Sequence, residues 1–262
     1  DAHPVVKAFM NHGEGVVLSD DSARRNVIPT YMGLVTELDD HLGDLMVALS
    51  DMGRADDTLI VLTSDHGDYL GDHWLGEKEL FHEPSVRIPL IVVDPSESAV
   101  AQRGASSDAF VEAIDLIPTF IERLGGDPNQ PWLEGRSFLD IIDGTKAESR
   151  DFVVAELDYF ARKARLELKV AADRAKGWMV RSDRWKYVFY EGFEPQLFDL
   201  DNDPDELTDR ASDPSSQGVL DEHRDHLFHW FRCRKSTVTV DYDYLDTRHE
   251  FATRGGFIFG EW

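Results

Sequence analysis

Apolar residues in the first third of the chain recur at intervals of three and four. They are Leu34, Leu38, Leu42, Leu45, Leu49 and Met52. This spacing places them on one face of a helix. Ser-Asp-Asp-Ser at 19–22 offers side chains that can cap the helix, and Gly53 can end it. The acidic residues of the same stretch fall mostly on the other face, where we expect solvent.

Two short apolar runs without alternation follow this helix, at residues 59–62 and 89–93. Such runs are typical of strands buried on both faces, as in a parallel sheet. A long helix that leads into such a strand indicates an α/β arrangement. Further helices are predicted at 108–124, with a kink at Pro118, and at 138–142.

The pattern changes after about residue 150. Short alternating runs at 179–182, 186–190 and 196–200 are joined by tight turns and predict a small antiparallel sheet. Residues 152–155 predict another strand, and residues 219–231 a closing helix. We therefore expect an α/β region over residues 1–150 and a smaller α+β region over residues 151–262.

Polar residues follow the first apolar run at once. In open parallel sheets, ligands bind beyond the carboxyl ends of strands. Asp65 and His66 are metal-ligand types, and a turn permitted by Gly67 would let both converge on one ion. The ammonium of Lys78 suits a phosphate or sulfonate oxygen. Taken alone, Asp-His-Gly is more often a plain turn after a strand.

Longer motifs recur in order along the chain. They are Ser-Asp-His-Gly at 64–67, Gly-Asp-His at 71–73, Gly-Glu-Lys at 76–78, Phe-His-Glu at 81–83, Arg-Ile-Pro at 87–89, Trp-Met-Val-Arg-Ser-Asp-Arg-Trp-Lys-Tyr at 178–187 and Gln-Leu-Phe-Asp-Leu at 196–200. Asp-Pro at 203–204 and Glu-Leu at 206–207 follow. With these motifs the chain resembles the sulfatase and phosphonate monoester hydrolase group of the alkaline phosphatase superfamily over nearly its whole length.

The resemblance implies a fold, a reaction and roles for four residues. The fold would be α/β, with part of an alkaline-phosphatase-like sheet, flanking helices and the smaller α+β region. Asp65 and His66 would hold a divalent metal ion, Lys78 would contact the transferred group, and His73 would face the substrate. Calcium or manganese suits oxygen-rich ligation, and zinc is an alternative. The substrate would be a small anionic ester of sulfate, phosphate or phosphonate.

The chain departs from the family pattern at the nucleophile. Family members carry a Cys-x-Pro-x-Arg type motif, whose cysteine becomes formylglycine, and an acidic metal pair well before Asp-His-Gly. The sole cysteine here, Cys233, has no such proline and lies in the wrong half. We therefore expect the C-terminal portion of an enzyme, inactive by itself.

Two alternatives remain open at this stage. One is a noncatalytic relative that assembles, as a homo-oligomer, through the aromatic-rich tail at 237–262. The other is a metal-dependent phosphomutase, although the Gly-Glu-Lys loop favours the sulfatase branch.

Charge and composition restrict the partners. The net charge of −24, from 51 acidic and 27 basic residues, argues against a general nucleic-acid-binding surface. It would also repel an anionic substrate, so binding needs local positive charge. No apolar run approaches the length of a membrane span. One cysteine excludes an intrachain disulfide, which fits a cytoplasmic protein.

Two weaker signals predict ordinary structure. The aspartates at 201–205 lack the glycine and the distant glutamate of a calcium loop, which favours a turn. His223, His226 and His229 are spaced by three and are interpreted as surface residues.

Overall fold

The structure is a computed structural model that describes residues 2–145 and 150–234. The aromatic tail and the assembly role predicted for it lie outside these ranges. Within them, no helix combines the length and the apolar composition needed to cross a membrane.

Three helices open the chain: α1 (Pro4–Met10), α2 (Gly13–Leu18) and α3 (Asp21–Asp51). The carboxylate of Asp20 caps α3 by accepting a backbone hydrogen bond of 2.9 Å from its first turn. Gly53 follows the last turn with a φ of +67°, which glycine adopts without strain. The long helix and both of its ends are therefore confirmed.

The first sheet contains two strands, β1 (Ile60–Thr63) and β2 (Leu90–Val93). They pair antiparallel, with Ile60 opposite Val93. The expectation of parallel neighbours was wrong for this pair. A parallel pair needs a crossover, usually a helix, that returns the chain to the starting edge of the sheet. The segment between β1 and β2 contains turns and short helices. It returns the chain to the end of the sheet where β1 ends, so β2 begins there and runs in the opposite direction.

The expectation that these strands are buried on both faces was also wrong within the described residues. Ile91 is 56% exposed. Helix α3 has no buried residue, and on its apolar side Leu34, Leu38 and Leu45 are about half exposed. The pattern predicted the elements correctly, but no described element covers the apolar sides of α3 and β2. Contiguous exposed apolar surface of this kind usually marks a site of interaction.

One short α-helix lies between β1 and β2, and three more follow β2. They are α4 (Glu83–Val86), α5 (Glu97–Val100), α6 (Leu116–Arg123) and α7 (Leu139–Ile142). The predicted helix at 138–142 is confirmed, whereas the one at 108–124 is mostly irregular before α6. Pro118 lies in the first turn of α6, where its missing N–H costs no hydrogen bond, so the predicted kink does not arise.

The second sheet has four strands in sequence order, each antiparallel to the next. They are β3 (Phe152–Asp158), β4 (Lys176–Ser182), β5 (Trp185–Tyr190) and β6 (Gln196–Asp199). Helix α8 (Lys163–Leu168) lies between β3 and β4 in the chain, and α9 (Gln217–Cys233) follows the sheet. The predicted small antiparallel sheet with a closing helix is confirmed.

Alternating side chains of this sheet enter two separate cores. On one face, Trp178, Val180 and Leu197 pack with Leu220 and Leu227 of α9. The core on the opposite face joins residues from distant parts of the chain: Val5 and Phe9 of α1, Tyr69 and Phe81 after β1, and Met179 and Tyr190 of the sheet. The segment after β1 is therefore seated against the second sheet. The division of the chain near residue 150 stays a prediction.

His223 corrects one expectation about the surface. It is only 2% exposed. Its Nε2 lies 2.8 Å from Ser182 Oγ, and its Nδ1 lies 2.8 Å from the carbonyl oxygen of Val219. Position 223 faces the sheet. Its contact with Ser182 ties α9 to the end of β4, and its contact with Val219 lies within α9.

The aspartates at 201–205 form the predicted turn. The carboxylate of Asp203 accepts backbone hydrogen bonds of 3.1 Å from Leu207 and 2.7 Å from Thr208. Because its oxygens accept bonds from the protein backbone, Asp203 organises a turn, as short acidic side chains commonly do.

Candidate active site

Asp65 and His66 follow β1 directly, and the backbone brings their donor atoms together. Asp65 Oδ2 lies 3.3 Å from His66 Nε2. Asp65 Oδ1 also accepts a hydrogen bond of 3.0 Å from the backbone N–H of His66. Two ligands of one small cation have a separation of this kind, since each stands roughly 2.0–2.2 Å from the ion.

The outer contact of His66 favours metal binding through Nε2. Its Nδ1 lies 2.7 Å from the carbonyl oxygen of Gly67. A carbonyl only accepts, so the proton stays on Nδ1 and the lone pair of Nε2 points outward. The side chain of His66 is 37% exposed and that of Asp65 is 83% exposed. The donor set and its orientation therefore fit a divalent cation.

Gly67 is needed here for close approach. A Cβ at this position would lie 1.9 Å from the carbonyl oxygen of Pro84. The N–H of Gly67 donates a hydrogen bond of 2.7 Å to the carbonyl oxygen of Ser85. The chain can therefore turn after His66 only by running against α4.

The electrostatic environment keeps Asp65 ionised. Partial desolvation raises the pKa of Asp65, but hydrogen bonds from backbone N–H groups and electrostatic interactions with His66 and Lys78 outweigh it. The net result is a pKa below the ordinary value. Lys78 is exposed, and its charge acts on the same carboxylate that is predicted to bind the metal.

His73 lies in an unusual stretch of backbone. Its φ is +51°, and Leu70, Trp74, Glu77 and Leu80 also have positive φ values. The imidazole of His73 stacks on that of His82, with ring centroids 3.9 Å apart and an interplanar angle of 18°. Its ring contacts are with Tyr69 and His82, and none is with His66. Burial lowers the pKa of His73, so at neutral pH the ring is uncharged.

His82 and Tyr69 belong to this site, although the sequence assigned them no role. His82 is 6% exposed. The hydroxyl of Tyr69 lies 2.9 Å from His82 Nδ1 and accepts a hydrogen bond of 3.2 Å from the backbone N–H of His82. Burial, with smaller contributions from His73 and Lys186, holds the pKa of His82 well below its usual range. In the sequence, only the Phe-His-Glu motif at 81–83 could have pointed to a role for His82.

Asp65 and His66 do not form a complete metal site with other described residues. Among them, no group of three or more histidine, cysteine, aspartate or glutamate side chains could hold an ion. Cys233 is exposed and lies beside His229, with Sγ 3.4 Å from Nε2. The four predicted site residues thus divide. Asp65 contacts His66 and is influenced by the charge of Lys78, while His73 contacts the buried Tyr69–His82 pair. The catalytic roles of the four residues stay predictions.

Two family descriptions match the chain. Residues 6–126 match the sulfatase family, and residues 71–232 match the C-terminal region described for N-sulphoglucosamine sulphohydrolase. The second match alone covers more than half of the chain.

Curated relatives and solved structures agree with these matches. The multifunctional alkaline phosphatase superfamily protein PehA of Trinickia caryophylli is 32% identical over 87% of this chain and 46% of its own length. The choline-sulfatase of Rhizobium meliloti is 31% identical over 84% of this chain and 42% of its own. The phosphonate monoester hydrolase of Agrobacterium radiobacter superposes with a TM-score of 0.71 at 33% identity, over 76% of this chain and 40% of that one.

The chain spans about half the length, or less, of the curated relatives it matches. The relatives include an arylsulfatase of Clostridium perfringens as well as the choline-sulfatase and the phosphonate monoester hydrolase, so the family is one of hydrolases. The fold is α/β, with alkaline-phosphatase-like sulfatases as structural neighbours. The chain belongs to the sulfatase and phosphonate monoester hydrolase group of the alkaline phosphatase superfamily.

Proposed function

We propose that this chain is the C-terminal portion of a metal-dependent hydrolase of sulfate, phosphate or phosphonate monoesters. The observation that carries the proposal is the convergence of Asp65 Oδ2 and His66 Nε2, 3.3 Å apart, immediately after β1. Lys78 contributes positive charge at the same place. Two metal-ligand groups beside a cation form a suitable site for an anionic ester.

Asp65 and His66 would hold the ion. A carboxylate oxygen and an imidazole nitrogen are compatible with manganese and zinc, and calcium is suited if the remaining ligands are oxygens. When bound, such an ion polarises ester oxygens and lowers the pKa of an attached hydroxyl. The hydrogen bond from Nδ1 of His66 to Gly67 orients the imidazole for this role.

Lys78 would bind the transferred group. The net charge of the 262 residues is −24, so an anionic substrate meets general repulsion and depends on local positive charge. The ammonium of Lys78 donates hydrogen bonds to sulfuryl or phosphoryl oxygens and stabilises the charge that develops on them. His73, uncharged and half-buried, would face the substrate as a neutral hydrogen-bonding group.

The nucleophile would come from sequence outside these 262 residues, as a formylglycine hydrate. Cys233 has the wrong motif and lies at the end of α9. The exposed apolar sides of α3 and β2 support this proposal, because a remaining half of the catalytic region would cover them. We further propose a cytoplasmic location, with which the lack of a disulfide between cysteines of these 262 residues agrees.

The first test measures the intact mass of the purified protein and then its ester-hydrolysis activity. A mass of 29.7 kDa identifies the 262 residues alone, and we expect such material to be inactive toward 4-nitrophenyl sulfate and a 4-nitrophenyl phosphonate monoester. A longer protein that contains them should be active and should lose activity to a chelator. Normal turnover by the 29.7 kDa material would contradict the proposed external nucleophile.

Variants of the active protein test the named residues. Asp65→Asn and Lys78→Met should each lower kcat by about a hundredfold or more, because the first removes a charged metal ligand and the second removes a cation that stabilises charge on the transferred group. Asp44→Asn on α3 and Lys163→Met on α8 are matched controls at exposed positions. Equal effects from the site variants and their controls would contradict the assigned roles.

A further inference from the structure

Lys186 is a charged residue in the middle of the second sheet. It lies on β5 and is fully buried. Its Nζ donates hydrogen bonds to the carbonyl oxygen of Phe81 at 2.9 Å and to Glu83 Oε1 at 2.8 Å, and it lies 2.7 Å from Glu206 Oε1. Because an ammonium in a protein interior is costly unless it is fully paired, this set of three partners is a specific arrangement.

All three partners of Lys186 belong to residues 81–83 or bind them. Phe81 and Glu83 are part of this segment. The other oxygen of Glu206, Oε2, accepts a hydrogen bond of 2.6 Å from the backbone N–H of Glu83. Arg181 of β4 adds a further contact, with its Nε 3.4 Å from Glu83 Oε1. Charged side chains of the second sheet and Glu206 therefore bind residues 81–83 both at the backbone and at the side chain of Glu83.

The same three residues connect directly to the candidate active site. His82 lies between Phe81 and Glu83, and its imidazole supports His73 by stacking at 3.9 Å. Lys78 lies three positions before Phe81, and its carbonyl oxygen accepts a hydrogen bond from the hydroxyl of Ser85. A displacement of residues 81–83 would therefore shift the supports of both His73 and Lys78.

The segment that carries these residues needs external support. Its non-glycine residues with positive φ are Leu70, His73, Trp74, Glu77 and Leu80. Such backbone is unfavourable for residues with a side chain and persists only where surrounding contacts impose it.

Replacing a buried ion pair by apolar residues is often neutral or stabilising. A contribution to stability alone is therefore a weak explanation of the Lys186 network.

We infer that Lys186 is a positioning residue for the active site: through Phe81, Glu83 and Glu206 it fixes the segment that carries His73 and Lys78. It touches neither the substrate nor the metal. The inference rests on the proposed function for its catalytic meaning, while the positioning itself can be measured without any turnover.

Hydrogen exchange of the segment is the primary test. Lys186→Met combined with Glu206→Gln removes one positive and one negative charge and leaves Glu83 paired with Arg181. The amide N–H groups of Tyr69 and Gly71, bonded to the carbonyls of Glu77 and Leu75, should then exchange about tenfold faster or more, as expected for local opening.

The control is Arg184→Gln, in the turn between β4 and β5. Arg184 pairs with Asp199 of β6 at 2.6 Å, and its replacement should leave exchange at Tyr69 and Gly71 unchanged. Glu206→Gln alone is a milder variant that removes the charge and keeps one of the two acceptor oxygens, and it should accelerate exchange in the same direction if the double variant does not fold. Exchange at Tyr69 and Gly71 equal to that of the control in every folded variant would overturn the inference.

The His73 ring gives a second readout, by NMR titration of its Cε1–H signal. Burial lowers the pKa of His73, the charge of Lys186 lowers it further, and Asp72, Asp203 and Asp205 oppose both. Removing Lys186 and opening the segment should raise this pKa, whereas Lys186→Arg, which retains the charge, should keep it low. An unchanged titration in the folded double variant would also count against the inference.

Ester hydrolysis is measured separately on the same proteins. If the intact enzyme is inactive toward all three ester classes while exchange and titration respond as expected, only the proposed function fails. If the enzyme is active and the double variant retains wild-type kcat with unaltered exchange, only the positioning role fails. The expected result is a fall in kcat of about tenfold or more with little change in metal affinity, since the site is misplaced and its ligands are intact.

Discussion

Asp65 and His66 are neighbours in the sequence, and a regular strand would send their side chains to opposite faces. Their donor atoms lie 3.3 Å apart because the chain leaves β1 and runs against α4 at Gly67. The carbonyl of Gly67 also orients His66. A single position without a side chain thus determines both the direction of the turn and the tautomer of the predicted ligand.

Gly67→Ala should therefore damage both stability and the site. The new Cβ would lie 1.9 Å from the carbonyl oxygen of Pro84, and relieving such overpacking typically costs about 1–3 kcal/mol. Urea unfolding would measure the cost, and calorimetric titration with manganese would measure the loss of metal affinity. Gly33→Ala is the matched control: it has nothing within 4 Å of the added Cβ and should stabilise α3 by up to about 1 kcal/mol. Equal destabilisation by the two variants would contradict the close-approach argument.

The buried His223 predicts acid sensitivity. Burial lowers its pKa in the folded state, aided by His226 and opposed by the hydrogen bond to Val219 and by Glu222. The unfolded chain therefore binds the proton more readily, and the stabilisation present above about pH 6.5 is lost as the pH falls toward the folded-state pKa. One such group contributes a slope of at most about 1.4 kcal/mol per pH unit.

His223→Gln should reduce this slope without abolishing it, because His82 has a lowered pKa of the same sign. Urea denaturation at several pH values between about 5 and 7 would measure the slope. His41→Gln, at an exposed position on α3, should leave it unchanged. A wild-type slope in His223→Gln would show that His223 is not the titrating group.

At the scale of elements, helix α9 is the lid of the second sheet. Leu220 and Leu227 are buried against Trp178, Val180 and Leu197, and the bond from His223 to Ser182 fixes the helix at the end of β4. The opposite face of the same sheet supports the segment after β1. Loss of the packing between α9 and the sheet should therefore also weaken the packing on the opposite face of the sheet.

Leu227→Ala tests this packing. The side chain is 4% exposed, and removing it should lower the free energy of unfolding by about 2–5 kcal/mol. The adjacent Phe228 is 62% exposed, so Phe228→Ala should cost less than about 1 kcal/mol, including its contact with Arg232. Denaturant unfolding of both variants gives the comparison, and similar losses would mean that α9 does not seal the sheet as described.

The elements that the sequence predicted well are those with a strong local period. Short alternating runs predicted β4, β5 and β6, whose successive side chains enter two different cores, and helical spacing predicted α3 and α9. Pairing direction depends on the intervening chain, so the antiparallel β1–β2 pair was missed. The positive φ of His73 and the burial of His223 depend on contacts between distant segments, and neither leaves a local signal.

At the scale of the whole molecule, two properties act on the substrate in opposite directions. The 262 residues carry a net charge of −24, which repels an anionic ester at long range. Lys78 and a bound cation at Asp65 and His66 would attract it at contact. The long-range repulsion is screened over about 10 Å at 0.1 M salt, whereas attraction at contact distance is screened much less.

Ionic strength therefore separates these effects. For an active protein that contains this chain, kcat/KM for 4-nitrophenyl sulfate should rise as salt increases from about 10 to 150 mM, because screening removes repulsion before it weakens the contact. A zwitterionic sulfate ester with no net charge is the control and should respond little. Stopped-flow or steady-state rates at low substrate concentration give kcat/KM directly. A steady fall with salt for the anionic ester alone would mean that attraction by the site governs the approach, and that the acidic surface is turned away from the entrance.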